Sequence, residues 1–355
     1  MSEVFIADST YTGMQETMEK VFDFLSLDLE GKTVLLKPNL LWPSEPEQGL
    51  NTHPAVIEAA VRCCEERKAS RVYIGDNAGQ IMYGNSKGAF YGSGLGEKLG
   101  KYYVNLGIDL EKFHLDAIDK DVYISRLIQK VDVIINLPKF KTHKLTGITG
   151  AVKNTFGYLP GGQKARMHVI AHSHDRFGET LAQIHMIRKP DASITDAVLG
   201  MQGNGASGPD LRYIGKILAS RDPVSLDMVQ AEMMGYDPRE IKHLVAAEKM
   251  GLGELSYTAN QEVKVLEGFK KAPGFEDPKL MRESVTSPGL DADAAKMIPT
   301  VDKEKCIRCG SCVKQCPAGV LELKDIPVQV KEDCAGCHAC QEVCPTGAMF
   351  LGEKQ

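Results

Sequence analysis

The sequence predicts an α/β domain with a largely parallel sheet, followed by a small α+β domain organised round cysteines. Two observations predict it. Short apolar stretches such as Val34-Leu35-Leu36 and Val133-Ile134-Ile135 alternate with amphipathic helical patterns through most of the chain, and strand, helix, strand in repetition builds a parallel sheet. Near the end, eight of the ten cysteines fall into two runs, and residues 306–323 repeat as 334–351. A chain of 355 residues is long enough for two domains, one of them with a sizeable core. The expected division is an α/β domain over residues 1–266, a linker or wrap over 267–297 and the cysteine domain over 298–355.

The elements follow in order. Residues 4–6 read as a short strand, 14–25 as an amphipathic helix and 33–36 as a buried strand. That strand empties into Lys37-Pro38-Asn39-Leu40, and a proline-rich loop leads to His53. There Pro54, suited to a first helical position, opens a helix over 54–68. After a strand over 71–74 come Gly75-Asp76-Asn77-Ala78-Gly79 and a segment with eight glycines from Gly75 to Gly100, which suits a mobile or closely packed loop. The most apolar strand, 131–135, delivers Asn136, Pro138, Lys139, Lys141, Thr142 and His143 at its carboxyl end. A helix starts near Thr149, another spans 175–188 with Ser173 as its cap, and a strand over 192–195 ends at Asp196. A strand over 217–219 leads through Arg221-Asp222-Pro223 into a helix reaching Met234, and Tyr236-Asp237-Pro238 starts the next. From Glu267 to Thr300 the text turns polar, with Pro273, Pro278 and Pro288, and reads as a linker or an extended wrap. In open α/β sheets the ligand crevice lies beyond the carboxyl ends of the strands, so Lys37, Asp76, Lys139 and Asp196 are expected to converge on one site.

Cys306, Cys309, Cys312 and Cys316 precede Pro317, and Cys334, Cys337, Cys340 and Cys344 precede Pro345. This C-x-x-C-x-x-C-x-x-x-C-P run resembles that of the bacterial two-cluster ferredoxins, in which three closely spaced thiolates hold one [4Fe-4S] cluster and the fourth cysteine ligates the other. The resemblance implies one cluster on Cys306, Cys309, Cys312 and Cys344, and a second on Cys334, Cys337, Cys340 and Cys316. Zinc sites favour two separated C-x-x-C pairs, and disulfides need an oxidising compartment. Cys63 and Cys64, on a helix, read as buried free thiols. A formal charge of −5 and a pI near 6 argue against a general nucleic-acid or anionic-membrane binder. No apolar run approaches the roughly eighteen residues of a membrane span, and Met1-Ser2-Glu3 does not open a secretory leader. The expected location is the cytoplasm.

From Val133 to His174 the chain has no Asp or Glu, where its 47 acidic residues in 355 would place about five or six. The same window holds Lys139, Lys141, Lys144, Lys153, Lys164 and Arg166, joined by His143, His168, His172 and His174. Beside the amides of Thr146-Gly147-Ile148-Thr149-Gly150, this bias describes an anion site, because a solvated face usually mixes signs. The candidate binding groups are Lys37, Asp76, Lys139, Lys141, Gly150, Asn154 and Asp196; the candidate catalytic groups are His143, Lys153 and His168. Lys164 and Arg166 are assigned to a lid. A histidine beside a bound anion suits a general acid. His168, His172 and His174 with Asp175 are spaced too loosely for a metal motif. Gly31-Lys32-Thr33 lacks the first glycine of a P-loop and precedes its strand, and Gly94-Leu95-Gly96 lacks the third glycine of a dinucleotide fingerprint. A radical S-adenosylmethionine run and a serine nucleophile elbow are both absent.

Several words of the α/β part resemble a known family. Lys37-Pro38-Asn39-Leu40, Thr52-His53-Pro54, Gly75-Asp76, Asn136-Leu137-Pro138-Lys139-Phe140-Lys141-Thr142-His143, Thr149-Gly150-Ala151-Val152-Lys153-Asn154 and Asp222-Pro223-Val224-Ser225-Leu226-Asp227 resemble domain of unknown function 362, with Ser225 where an alanine is more usual. The resemblance implies an iron-sulfur protein and no particular activity. The leading reading is a cytoplasmic redox enzyme that moves electrons through two [4Fe-4S] clusters to or from an anionic small molecule in the α/β domain. The alternative is a non-catalytic electron-transfer or assembly protein that docks a redox partner. Nucleic acid is not an expected partner: the basic window has only Phe140, Phe156 and Tyr158 to stack on bases. The cysteine domain is expected to pack against the crevice.

Overall fold

The computed structural model describes residues 1–79, 82–171, 173–276, 297–329 and 334–353. In chain order it begins with β1 (Ser2–Asp8), α1 (Met14–Leu25), β2 (Thr33–Pro38), α2 (Pro54–Glu66) and β3 (Arg71–Ile74). Short helices α3 (Ser86–Phe90) and α4 (Gly96–Leu99) follow, then a hairpin of β4 (Leu110–Leu115) and β5 (Lys120–Ser125), and α5 (Leu127–Lys130). The next stretch carries β6 (Val133–Leu137), β7 (Lys139–His143), β8 (Gly147–Ile148), α6 (Ala151–Asn154), α7 (Gln163–Ile170) and α8 (His174–Ile187). The α/β part continues through β9 (Ala192–Met201), β10 (Leu211–Ser220), α9 (Pro223–Met233), α10 (Lys242–Lys249) and β11 (Tyr257–Ala259).

Nine strands make one sheet, with β11-β1-β10-β9-β6-β2-β3 as its main path and β7 set against β9. The half from β9 to β3 is parallel, as are β7 with β9 and β1 with β11, while β10 runs antiparallel to both its neighbours. This is the α/β class with a largely parallel sheet. Strand alternation divides the apolar side chains between two faces. Val34, Leu36, Ile135, Ile194, Val198 and Ile217 face α1 and α2. On the other side Leu35 and Ile134 face α8 and the β4–β5 hairpin, and Ala197 and Leu218 face α9 and α10. Ser173 caps α8 as its sequence position suggests, accepting from Arg176 N at 3.2 Å.

The helix expected from Thr149 lasts a single turn. It passes into a 3-10 turn over Thr155–Tyr158, because the chain must stay close to the end of β2. Residues 267–276 lie on the α/β body: Phe269 meets Phe140 edge-on at 6.0 Å, and Ala272 N donates to the Tyr236 hydroxyl at 2.6 Å. The rest of the expected wrap, residues 277–296, lies outside the described residues. Beyond it β12 (Met297–Val301) pairs antiparallel with β15 (Met349–Glu353), and β13 (Leu321–Leu323) with β14 (Pro327–Gln329). Helical turns at Ser311–Lys314 and Ala339–Glu342 stand between them.

Candidate functional site

The carboxyl end of β2 brings Lys37 Nζ to 2.8 Å from Asp76 Oδ1, just past β3, with both side chains buried. Burial disfavours both charges, lowering Lys37 and raising Asp76, and their pairing offsets it. Asp76 also accepts from Leu40 N at 2.9 Å. The turn after α6 lies directly on this pair: a Cβ at Gly157 would stand 2.1 Å from Asp76 Oδ1, so only glycine fits. Asn154 completes this face, donating to Asn136 Oδ1 at 2.7 Å and accepting from Asn39 Nδ2 at 3.2 Å.

A second pair sits elsewhere. Lys139 Nζ donates to Asp196 Oδ2 at 2.7 Å and to the Tyr11 hydroxyl at 2.9 Å. Tyr11 in turn donates to Asp196 Oδ1 at 3.1 Å, its ring stacked 3.5 Å from that of His53, whose backbone N–H also reaches Asp196. Asp196 alternates with Ile194 and Val198 toward α1 and α2, whereas Lys37 shares the face of Leu35. The expected convergence of Lys37, Asp76, Lys139 and Asp196 therefore resolves into two self-neutralised ion pairs on opposite faces of the sheet. Tyr11 carries no signal in the sequence, because its hydrogen-bond partners lie more than a hundred residues away.

The basic window keeps a further cluster. Lys141 is 1% exposed, donates to Leu50 O at 2.8 Å, and has no carboxylate within ion-pair distance among the described residues. Burial, then the neighbouring charges of Lys153 and Lys139, lower its ammonium to about 7. Lys153 Nζ lies 5.9 Å over the Phe156 ring, which His168 meets edge-on at 5.4 Å. Burial holds His143 well below the ordinary imidazole range, with Lys153, His168, Lys141 and His243 adding to the effect. The structure thus brings His143, Lys153 and His168 together with Lys141. His243, on α10, is a member that the sequence did not suggest. It is fully buried, and neither ring nitrogen finds a partner among the described residues.

Other candidates are engaged differently. Lys164 turns to the loop after β3, donating to Asn77 O at 2.6 Å and Ala78 O at 2.7 Å. The amides beyond Gly150 are taken by the chain itself: Ala151 N and Val152 N donate to Asp227 at 2.5 and 2.9 Å. Burial pushes the Asp227 carboxyl up to about 7. The sequence hid this pairing because Asp227 arrives on α9, far along the chain. His174 Nδ1 bonds Leu145 O at 2.9 Å, and His172 lies outside the described residues.

The ten cysteines are all unpaired by disulfides, and Cys63 and Cys64 are buried thiols that burial pushes upward. The other eight divide between two cavities. One is lined by Cys306, Cys309, Cys312 and Cys344; the other by Cys316, Cys334, Cys337 and Cys340. The outer cavity includes the exposed Cys309. Its inner counterpart abuts the α/β part, where Leu110 and Tyr123 pack against Cys337 and Ala339. Glu342 ties the two parts, accepting from Ser86 N and Oγ, both at 2.8 Å, and from Asn105 Nδ2 at 3.1 Å.

An iron-sulfur centre fits these residues. Each cavity is lined by four cysteine sulfurs, the soft thiolate set that such a centre takes. Burial drives the Cys337 thiol up to about 12, a cost removed by a metal centre that keeps its sulfurs deprotonated.

The family described as domain of unknown function (DUF362) matches residues 34–232, and the 4Fe-4S dicluster domain matches residues 305–348. The thylakoid-associated protein sll1697 of Synechocystis is 32% identical over 258 residues, covering 71% of this chain and 78% of the relative. Two solved structures are similar at 10% identity: the lactate racemase apoprotein of Thermoanaerobacterium thermosaccharolyticum, with a TM-score of 0.43 and 66% of this chain covered, and a Thermotoga maritima protein, at 0.37 and 68%. The matches span 57% and 59% of those two chains. No helix among the described residues is long and apolar enough to cross a membrane. The chain is an iron-sulfur protein that belongs to the DUF362 family and carries a 4Fe-4S ferredoxin-type domain behind it.

Proposed function

We propose that the protein moves electrons through two [4Fe-4S] clusters to or from a small anion held by Lys141, Lys153, His143 and His168. One cluster falls to Cys306, Cys309, Cys312 and Cys344, the other to Cys334, Cys337, Cys340 and Cys316. The observation that carries the reading is that each cavity takes three cysteines from one run and its fourth from the other. When bound, the clusters supply one-electron chemistry. The chain's own residues hold and orient the anion. Lys141 and Lys153 offset its charge. His143 Nδ1 accepts from Leu145 N at 3.2 Å, so the neutral ring offers its Nε2–H as a donor to an oxyanion. This is donation from a neutral imidazole rather than proton delivery from a cationic one. Lys37 with Asp76, Lys139 with Asp196, Asn154 and Gly150 serve as positioning groups. The domains of this reading run over 1–266 and 298–355, joined by 267–297.

A specific observation favours a partner protein at the other end. Ile307, 62% exposed, and Phe350, 42% exposed, belong to the part of the chain that builds the outer cavity, giving a redox partner apolar surface to meet. The proposed location is the cytoplasm; the relative is named for thylakoid association, and cell fractionation distinguishes the two.

Anaerobically purified protein should hold about eight irons per chain. Cys316→Ser should damage the inner centre and spare the outer one in electron paramagnetic resonance spectra. Zinc without iron would overturn the reading. Titration with phosphate and small carboxylates should show roughly ten- to hundredfold weaker binding in Lys141→Ala and Lys153→Ala, the worth of one charge-assisted contact. Equal, small effects across the basic window would mean a solvated face.

A further inference from the structure

We infer that Arg166 is the residue through which the inner cysteine centre and the anion site act on each other. The inference rests on the two-cluster reading above, and adds which side chain couples the two sites and in which direction it moves a potential.

Three observations carry it. Arg166 Nη1 donates to the backbone oxygen of Cys334. Its guanidinium also lies against Gly336, where a Cβ would stand 2.9 to 3.1 Å from Cζ, Nε and Nη2, and where φ is +65°. Both the backbone conformation and the space taken by the guanidinium call for glycine in the middle of the Cys334–Cys337 loop. Second, α7 touches the same loop again through a neighbour. Lys164 Nζ lies 5.8 Å over the Tyr83 ring, and Tyr83 meets His338 edge-on at 6.4 Å. Third, the approach is close on the other side of α7's start. A Cβ at Gly161 would stand 2.6 Å from Cys337 O, so this segment and the ligand loop are in backbone contact. The same helix carries His168, whose ring reaches Phe156 and, through it, Lys153.

Reducing a centre on this loop adds negative charge beside a fixed guanidinium. The guanidinium stabilises the reduced state more than the oxidised one, so it raises the potential of the inner centre. It does little for the outer centre. An anion bound beside Lys153 and His168 acts on the same helix, two residues along from Arg166. Coupling between the two events is reciprocal: an anion that shifts the potential is itself bound differently by the two redox states. Arg166 is a positioning and tuning residue in this scheme and touches no reacting atom.

The test uses the full-length, iron-loaded protein under anaerobic conditions, with malonate and inorganic phosphate as probe anions. Redox titrations followed by electron paramagnetic resonance read both centres, the inner one identified by its loss in Cys316→Ser. In Arg166→Gln the iron content should equal that of the unaltered protein, the inner potential should fall, the outer should stay, and the shift on adding the probe anion should shrink. Full iron loading with both potentials unchanged overturns the inference, as does an equal fall at both centres. Where Arg166→Gln fails to load iron, Arg166→Lys decides. It keeps the charge and loses the fork, so the inner potential should stay while the anion-linked shift shrinks; an anion-linked shift of full size overturns it. A wild-type chain without [4Fe-4S] signals would instead remove the two-cluster reading itself.

Discussion

At Lys141 the ammonium is buried, its hydrogen bond goes to a neutral carbonyl, and its cationic neighbours Lys153 and Lys139 repel it, so it titrates near 7 rather than 10.5. In the unfolded chain it holds its proton up to the higher value. Between about pH 7 and 10.5 the unfolded state therefore binds more protons, and this group's contribution to stability rises with pH across that window. Asp227 runs the other way. Raised from 3.8 to about 7, it favours the folded state when protonated, and its contribution falls as pH rises through that range. Anion binding needs the protonated Lys141, so phosphate affinity is expected to fall as pH rises through about 7. Lys141→Met should flatten that dependence and make the protein more stable at pH 6. Phosphate titrations and thermal unfolding at pH 6 and 8 check both; an unaltered pH profile in the variant would show that another group titrates. None of this is readable from residue 141 alone. The acid-free window marked the neighbourhood, but which lysines are offset by a carboxylate depended on Asp76 and Asp196.

Among the elements, those with strong local periodicity were legible: α1, α2, β2, β3, β6 and the capped start of α8. The β4–β5 hairpin and α7 were not. Residues 163–170 lack a clean apolar stripe, because the helix buries Lys164 and Gln163 as well as Ala165 and Met167. A helix that binds polar partners on its inner face has no amphipathic signature to read. The turn after α6 makes a prediction at this scale. Gly157→Ala places a methyl group on Asp76 Oδ1, forcing the buried Lys37–Asp76 pair apart. Disrupting a buried pair costs about 3 to 5 kcal/mol, so the variant should unfold at markedly lower denaturant. Chemical denaturation measures it, and a loss below about 1 kcal/mol would show that the turn can move aside.

For the molecule as a whole, the cysteine domain has little core apart from its ligands among the described residues. Besides Cys312, Cys337 and Cys340, its buried apolar side chains there are Val320, Ala339, Ala348 and Met349. Small domains of this kind draw their folding energy from the metal they bind. Anaerobic removal of iron should therefore raise hydrogen exchange across residues 298–355 while the α/β part keeps a cooperative thermal transition within a few degrees of its original midpoint. A single transition lowered for the entire chain would show instead that the two parts unfold together. The sequence by itself determined the alternation of strands and helices and the likeness to iron-sulfur domains, because strand period, helix period and ligand spacing are local properties of a few neighbouring residues. Only the tertiary structure decided that Lys37 and Lys139 are neutralised on opposite faces, that Asp227 takes the amides beyond Gly150, that His243 joins the basic cluster, and that Arg166 covers the Cys334–Cys337 loop. Each of those contacts joins residues remote in the chain, and no local pattern records a partner that arrives from another element.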